Sequence, residues 1–243
     1  MTDNLIIPTS WNGRDGKKDY ESIVNGNTEE KEEKILNPST KKFDTNDFIY
    51  VPSIDLYVAK QRTHLNKNWF DCHKLLQGNN ERMLIVPEFV EFLKYLKNSN
   101  NQEYLEIYKD ITEVRNPWRA EYLDADFKVK DKKLYVNYNH ILDANGNLIP
   151  KNSEVLDKET LMSDKTPGIS LDDFLESNHT NQGFPNKKVK SGNLYYWNPR
   201  SDNNSVAGFS AGSGGASLDC GRDPSDGVRI SGYVRVRFCP LEV

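Results

Sequence analysis

Apolar residues recur every three or four positions in three stretches of this chain. After Asn68, which can cap a helix, Trp69, Cys72 and Leu76 form one stripe, and Gly78 stops the run. Pro87 suits the first turn of a second helix, in which Phe89, Phe92, Leu93 and Leu96 share a face. Residues 102–114 are a third candidate, with Tyr104, Leu105, Tyr108 and Ile111 as the stripe. Elsewhere the period is two. Residues 48–60 read as extended, with Ile54, Leu56 and Val58 on one face and Pro52 demoting the start to an edge. Residues 118–129 and 133–142 read as two strands joined by a short turn at Lys130, Asp131 and Lys132. Ser170 caps a short helix, and Gly183 with Pro185 ends that run. In the tail, Val228, Ile230, Val234, Val236 and Phe238 fall on one face, and Arg229, Tyr233, Arg235 and Arg237 on the other. That alternation predicts a strong strand. Residues 1–45 are polar and charge-rich and read as a loosely packed arm. The order of elements predicts a mixed α+β domain over 46–243.

Residues 201–227 break every expectation for a strand in composition while keeping its period. Of these 27 residues, 18 are Ser, Asp, Asn or Gly, which strands disfavour. Yet Ala207, Phe209 and Ala211 alternate with Gly208, Ser210 and Gly212. Ala216, Leu218, Cys220, Arg222 and Pro224 alternate with Ser217, Asp219, Gly221 and Asp223. Residues i and i+2 of an extended chain share a face, so one face is fixed and mostly apolar. The other is drawn from four small polar residue types, and Ser213-Gly214-Gly215 reads as the turn between the two runs.

The genetic code links those four types. An Asn codon altered only at its adenines, and only to guanine, yields Ser, Asp or Gly, and Asn203 and Asn204 are the unaltered case. On this pattern the stretch SVAGFSAGSGGASLDCGRDP resembles the variable region of diversity-generating retroelement variable proteins, the archaeal ones above all. WRAEYLDADF and GISLDDFLESNHTNQGFP also look like segments of those proteins. The resemblance spans roughly 46–243 and is specific in 201–227. It implies a C-type lectin fold: two main helices packed on small antiparallel sheets, long loops, and a C-terminal variable region at about 195–227. It also implies a non-enzymatic, hypervariable binding surface whose ligand is another protein or a cell-surface component. The expected contact residues are Ser201, Asp202, Asn203, Asn204, Gly208, Ser210, Gly212, Ser217, Asp219, Gly221, Asp223, Ser225 and Asp226, with Tyr195, Tyr196 and Trp197 at the rim. Arg200 and Arg222 read as structural, their donors serving loop carbonyls.

Charge and composition narrow the rest. A net charge of -4 and a pI near 5.7 argue against a nucleic-acid partner. No signal peptide and no span approaching the roughly 20 apolar residues of a membrane helix is legible. The expectation is therefore synthesis in the cytoplasm, with any surface display by a route the sequence does not reveal. Cys72, Cys220 and Cys239 read as three buried thiols rather than including a Cys220–Cys239 disulfide. Gly208-Phe209-Ser210-Ala211-Gly212 matches the G-x-S-x-G elbow of hydrolases, but no His follows His179 to complete a triad. The glycines at 214 and 215 lack the Gly-Lys-Ser/Thr of a phosphate loop. His64, His73, His140 and His179 show no metal spacing and read as solvated or structural. Asp143 to Asn147 reads as a β-turn and not as a calcium loop. Trp197-Asn198-Pro199 lacks the Asp of the calcium-binding triplet of sugar-binding lectins, so neither metal nor cofactor is expected. The alternative from another class is a formylglycine-generating-type enzyme, which shares the broad fold and uses a cysteine pair; Cys220 and Cys239 are its candidates here.

Overall fold

The computed structural model describes residues 45–187, 192–227 and 232–240, with backbone alone at 232–236. The arm expected over 1–45 lies outside these residues, except for its last position. Phe48–Val51 (β1) and Leu56–Ala59 (β2) form an antiparallel hairpin where the pattern predicted one extended run. Pro52 and the left-handed Asp55 (φ 49°) fall in the turn, and Ile49, Val51, Leu56 and Val58 are all buried.

Three helical stretches follow as their periodicity predicts. Helix α1 (Trp69–Gln77) starts at Asn68, whose side chain accepts from the Asp71 amide, and ends at Gly78. Strand β3 (Glu81–Met83) leads to α2 (Val86–Lys97), which carries Pro87 in its first turn. There Glu88 accepts from the Ile85 amide at 3.0 Å and satisfies a donor that the helix start leaves free. Helix α3 (Gln102–Thr112) is capped by Asn101 and packs more loosely, with Ile111 buried and Tyr104 and Tyr108 half-buried.

Strands β4 (Trp118–Lys130) and β5 (Lys133–Leu142) meet at Asp131 and Lys132, both with positive φ (51° and 61°). That is the turn whose twist matches the flanking strands. Strand β6 (Leu148–Val155) returns beside β5 after a turn in which Asp143 Oδ1 accepts from the Asn145 and Asn147 amides, each at 2.8 Å. Strand β7 (Lys165–Ile169) precedes the Ser170-capped α4 (Leu171–Glu176). The remaining strands are β8 (Leu194–Trp197), β9 (Ser205–Gly212), β10 (Gly215–Arg222), β11 (Gly232–Val236) and β12 (Phe238–Pro240).

The fold is mixed α+β, with few helices and one large sheet. Eight strands run in the order β6-β5-β4-β9-β10-β8-β7, with β11 beside β4. Small sheets were expected; only β1–β2 and β3–β12 are small. The reason is the length of β4, which pairs with β11 through Trp118–Tyr122, with β5 through Asp126–Lys130, and with β9 from Arg119 to Phe127. It joins hairpins that would otherwise stand apart. One sheet face carries Leu123, Ala125, Phe127, Ala207, Phe209, Ala216, Leu218 and Cys220 into a core shared with α2. The other face carries Ala120, Tyr122 and Val206 into a smaller cluster with Trp69, Cys72 and Leu76 of α1.

The expected single strand over 228–238 is interrupted. Residues 228–231 lie outside the described residues, and so do the side chains of Tyr233, Val234, Arg235 and Val236. At Arg237 the chain leaves β4 and crosses to β3. Arg237 is itself buried, with Nε donating to Glu121 Oε2 at 3.1 Å and Nη1 to the Ala59 carbonyl at 2.8 Å. All three cysteines are buried and unpaired. Among the described residues, no helix is long and apolar enough to cross a membrane.

Candidate binding face

The alternation in 205–222 becomes two adjacent central strands. Each fixed residue of the first run, Ala207, Phe209 and Ala211, is at most 1 % exposed, and so are Leu218 and Cys220 of the second. Phe209 meets Phe89 of α2 with ring centroids 5.1 Å apart. Their alternating partners therefore point to the face that carries α1. Strand register arranges them in rows: Ala120, Ser210, Ser217 and Tyr195 lie side by side, and next to them Tyr122, Gly208, Asp219 and Trp197. Helix α1 packs over Ala120, Tyr122 and Val206. Tyr195 and Trp197, stacked at 6.1 Å, form the far border of a floor made of Gly208, Ser210, Ser217 and Asp219.

The floor is less uniformly open than its sequence predicts. Ser217 is 7 % exposed and shares a hydrogen bond with Ser210, Oγ to Oγ at 2.7 Å. Gly208 is buried as well, because Arg222 lies over it: a Cβ there would stand 3.4 Å from Arg222 Cδ. The guanidinium of Arg222 sits 5.5 Å from the Trp118 ring and 5.6 Å from the Tyr122 ring. Alternation had assigned Arg222 to the inward face with Cys220. A bulge between Asp219 and Arg222 adds one residue to β10 and turns Arg222 to the opposite side. There Arg222 covers the glycine instead of serving loop carbonyls as expected, and its Nη1 is buried without a hydrogen bond. Arg200 likewise covers Gly221, with Nε 2.8 Å from where a Cβ would be, while Nη2 reaches Asp164 at 2.9 Å. Tyr196, expected at the rim, is fully buried, since it alternates with the outward Tyr195 and Trp197.

Gly212, Asp219, Gly221 and Ser210 remain partly open, and none of the glycines at 208, 212 and 221 has a left-handed φ. The other seven predicted positions leave the sheet. Ser201, Asp202, Asn203 and Asn204 are exposed ahead of β9, where Asn203 Oδ1 accepts from the Val129 amide and fixes the loop to the end of β4. Asp223, Ser225 and Asp226 follow β10, and Pro224 between them accepts from the Trp69 amide at the start of α1. Asp223 and Ser225 are exposed, and Asp223 Oδ1 accepts from the Ser225 amide at 2.8 Å. The sequence reading missed Trp118 and Tyr122, whose place beside the floor depends on long-range register. Ser210, the centre of the G-x-S-x-G match, lies within β9, and a hairpin rather than a helix follows it. Ser213 and Gly214 form its turn, and the left-handed Gly215 (φ 113°) closes it.

The histidines hold a second surprise. His73 on α1 and His140 on β5 are both buried, on either side of Asp124 from β4. His140 donates its backbone amide to Asp124 Oδ2 at 3.0 Å, and its Nδ1 lies 2.5 Å from Asp124 Oδ1. Burial alone would lower the His140 pKa, but hydrogen bonds to Asp124 and Asp126 outweigh it and raise the value to about 9. Burial dominates at His73 and lowers it to about 4. No spacing of 73, 124 and 140 announces this cluster; a His on the apolar stripe of a helix, one position after Cys72, was the only hint.

Comparison of the chain with protein-family models, with curated proteins and with solved structures gave no match.

Proposed function

We propose that this chain is a non-enzymatic ligand-binding protein of a diversity-generating retroelement, with a C-type-lectin-type scaffold presenting a diversified surface to a protein or cell-surface ligand. The observation that supports it most is the sorting of 207–221. Residues reachable from an Asn codon by adenine substitution share one sheet face, while their neighbours Ala207, Phe209, Ala211, Ala216, Leu218 and Cys220 are all buried. An ordinary polar loop has no cause to sort its residues in this way. In this copy the floor offers hydrogen bonds and close backbone approach, and Tyr195 and Trp197 offer the aromatic contact area that usually dominates binding energy.

The formylglycine-generating alternative needs a reactive thiolate from Cys220 or Cys239. Burial raises the pKa of both, that of Cys239 to about 12, which weighs against it.

The test is the DNA flanking the gene. A nearby non-coding repeat should nearly match the codons for 201–227 and differ where the repeat has adenine, with a reverse-transcriptase gene close by. Mismatches spread over all four bases, or no repeat, would remove the reading. A displayed library randomised at the six sheet positions 208, 210, 212, 217, 219 and 221 tests binding itself. Folded variants that never yield a binder would count against a binding role.

A further inference from the structure

His73 has both ring nitrogens buried and neither makes a hydrogen bond. A buried imidazole without partners forfeits the hydrogen bonds it had in water, and native structures seldom leave such a group unsatisfied. It points at Asp124, with Nε2 3.6 Å from Oδ1, and the His140 Nδ1 closes the group so that one ligand atom from each residue lies within 4.8 Å of the others. Each residue comes from a different element, so the cluster was assembled by the fold and not by one local motif.

We propose that His73, Asp124 and His140 bind a divalent first-row transition ion, zinc being the best suited, which fastens α1 to β4 and β5 on the sheet face that also carries the floor. Two imidazole nitrogens and one carboxylate oxygen are a usual donor set for such ions. Bond lengths near 2.1 Å place tetrahedral ligand atoms about 3.4 Å apart. Two of the three separations, 2.5 and 3.6 Å, bracket that distance and all three ligand atoms lie within 4.8 Å of one another, so an ion would enter as the His140–Asp124 hydrogen bond opens. The outer partner is also present. Asp126 Oδ1 lies 3.5 Å from His140 Nε2, the place of the carboxylate that commonly orients a ligating histidine. Lys128 already faces Asp126 at 3.3 Å, so Asp124 supplies the buried negative charge that the ion would answer. The Trp69 ring, 4.3 Å from His73 and 4.9 Å from His140, forms an apolar wall that would shield the ion from water.

The experiment uses the full chain, stripped with chelator and titrated with Zn²⁺ or Co²⁺ by calorimetry and visible absorption. One ion per chain, a higher melting temperature with Zn²⁺, and Co²⁺ bands without thiolate charge transfer are expected. A variant carrying His64→Gln and His179→Gln should bind as the parent does. His73→Gln and Asp124→Asn should each weaken binding at least 100-fold. Should either fail to fold, Asp126→Asn retains all three ligands and should still weaken binding about 10- to 100-fold. A parent without saturable transition-ion binding overturns the proposal. So does binding that is matched by Mg²⁺ or Ca²⁺, or that persists unchanged in a folded His73→Gln, Asp124→Asn or Asp126→Asn protein.

Discussion

Two substitutions one row apart on the same hairpin should have opposite consequences. Leu218 is 1 % exposed and faces Phe209 on one neighbouring strand and Tyr196 on the other, both buried. Leu218→Ala removes buried carbons and leaves a cavity among large side chains that are slow to collapse, at a cost of about 2–5 kcal/mol. For a domain of this size that is a fall of about 4–20 °C in Tm. Ser210, on the opposite face, is partly open, and its side chain hydrogen-bonds to that of Ser217. Ser210→Tyr forfeits that bond, about 0.5–1.5 kcal/mol, and places its ring over the sheet without displacing core. Thermal and urea denaturation followed by near-ultraviolet circular dichroism would measure both. A Ser210→Tyr protein that melts as early as Leu218→Ala would mean that this face is packed, and the division between a fixed and a permissive side would be lost. Ser217→Tyr, at a buried position, should fall between the two, at about 1–3 kcal/mol from overpacking.

Three further outcomes follow from the same geometry. Gly212→Asn should cost under about 0.5 kcal/mol, whereas Gly208→Asn should cost about 1–3 kcal/mol, because its Cβ would press to 3.2 Å on the Glu121 carbonyl beneath Arg222; paired urea curves would show the difference. Arg237→Met should destabilise by about 2–4 kcal/mol by leaving the buried Glu121 carboxylate with only the 3.8 Å ion pair to Arg62, and adding Glu121→Met should recover part of the loss, which a double-mutant cycle reads directly. Burial pushes the Cys72 and Cys239 thiols up to about 12 and Cys220 well up, so a native sample at pH 8 should react only slowly with a thiol reagent, and a denatured, unreduced sample should yield three thiols.

What the sequence revealed was what short-range periodicity encodes. Helices α1 and α2, the β4–β5 hairpin and the alternation of β9 and β10 all depend on neighbours within four residues, and their buried faces were legible. Failures came where the cause lies far along the chain. Strand β6 is exposed along most of its length and carries little apolar alternation, so no pattern marked it. Pro52 read as an edge signal while its true effect was to help turn a hairpin whose second strand pairs back on the first. Arg222 was assigned to the wrong face because one extra residue in β10 is invisible without its partner strand. The Arg237–Glu121 pair and the His73–Asp124–His140 cluster join elements tens of residues apart. Alternation put Arg237 on the strand face opposite the aliphatic residues and could not register a buried acid waiting for it.

Strands β9 and β10 are hydrogen-bonded along both edges, to β4 on one side and β8 on the other. Binding residues more commonly sit on loops, which order when the ligand arrives and lose conformational entropy in doing so. Here the backbone under the proposed contact positions is already ordered, and its amides should rank among the slowest in the protein to exchange hydrogen with solvent. Side chains fixed to such a frame keep their spacing whichever residues are present. Changes at positions that do not touch, such as Gly212 and Asp219, should then combine almost independently. A repertoire built on this hairpin would grow by multiplication, each new residue read by the ligand against an unaltered background.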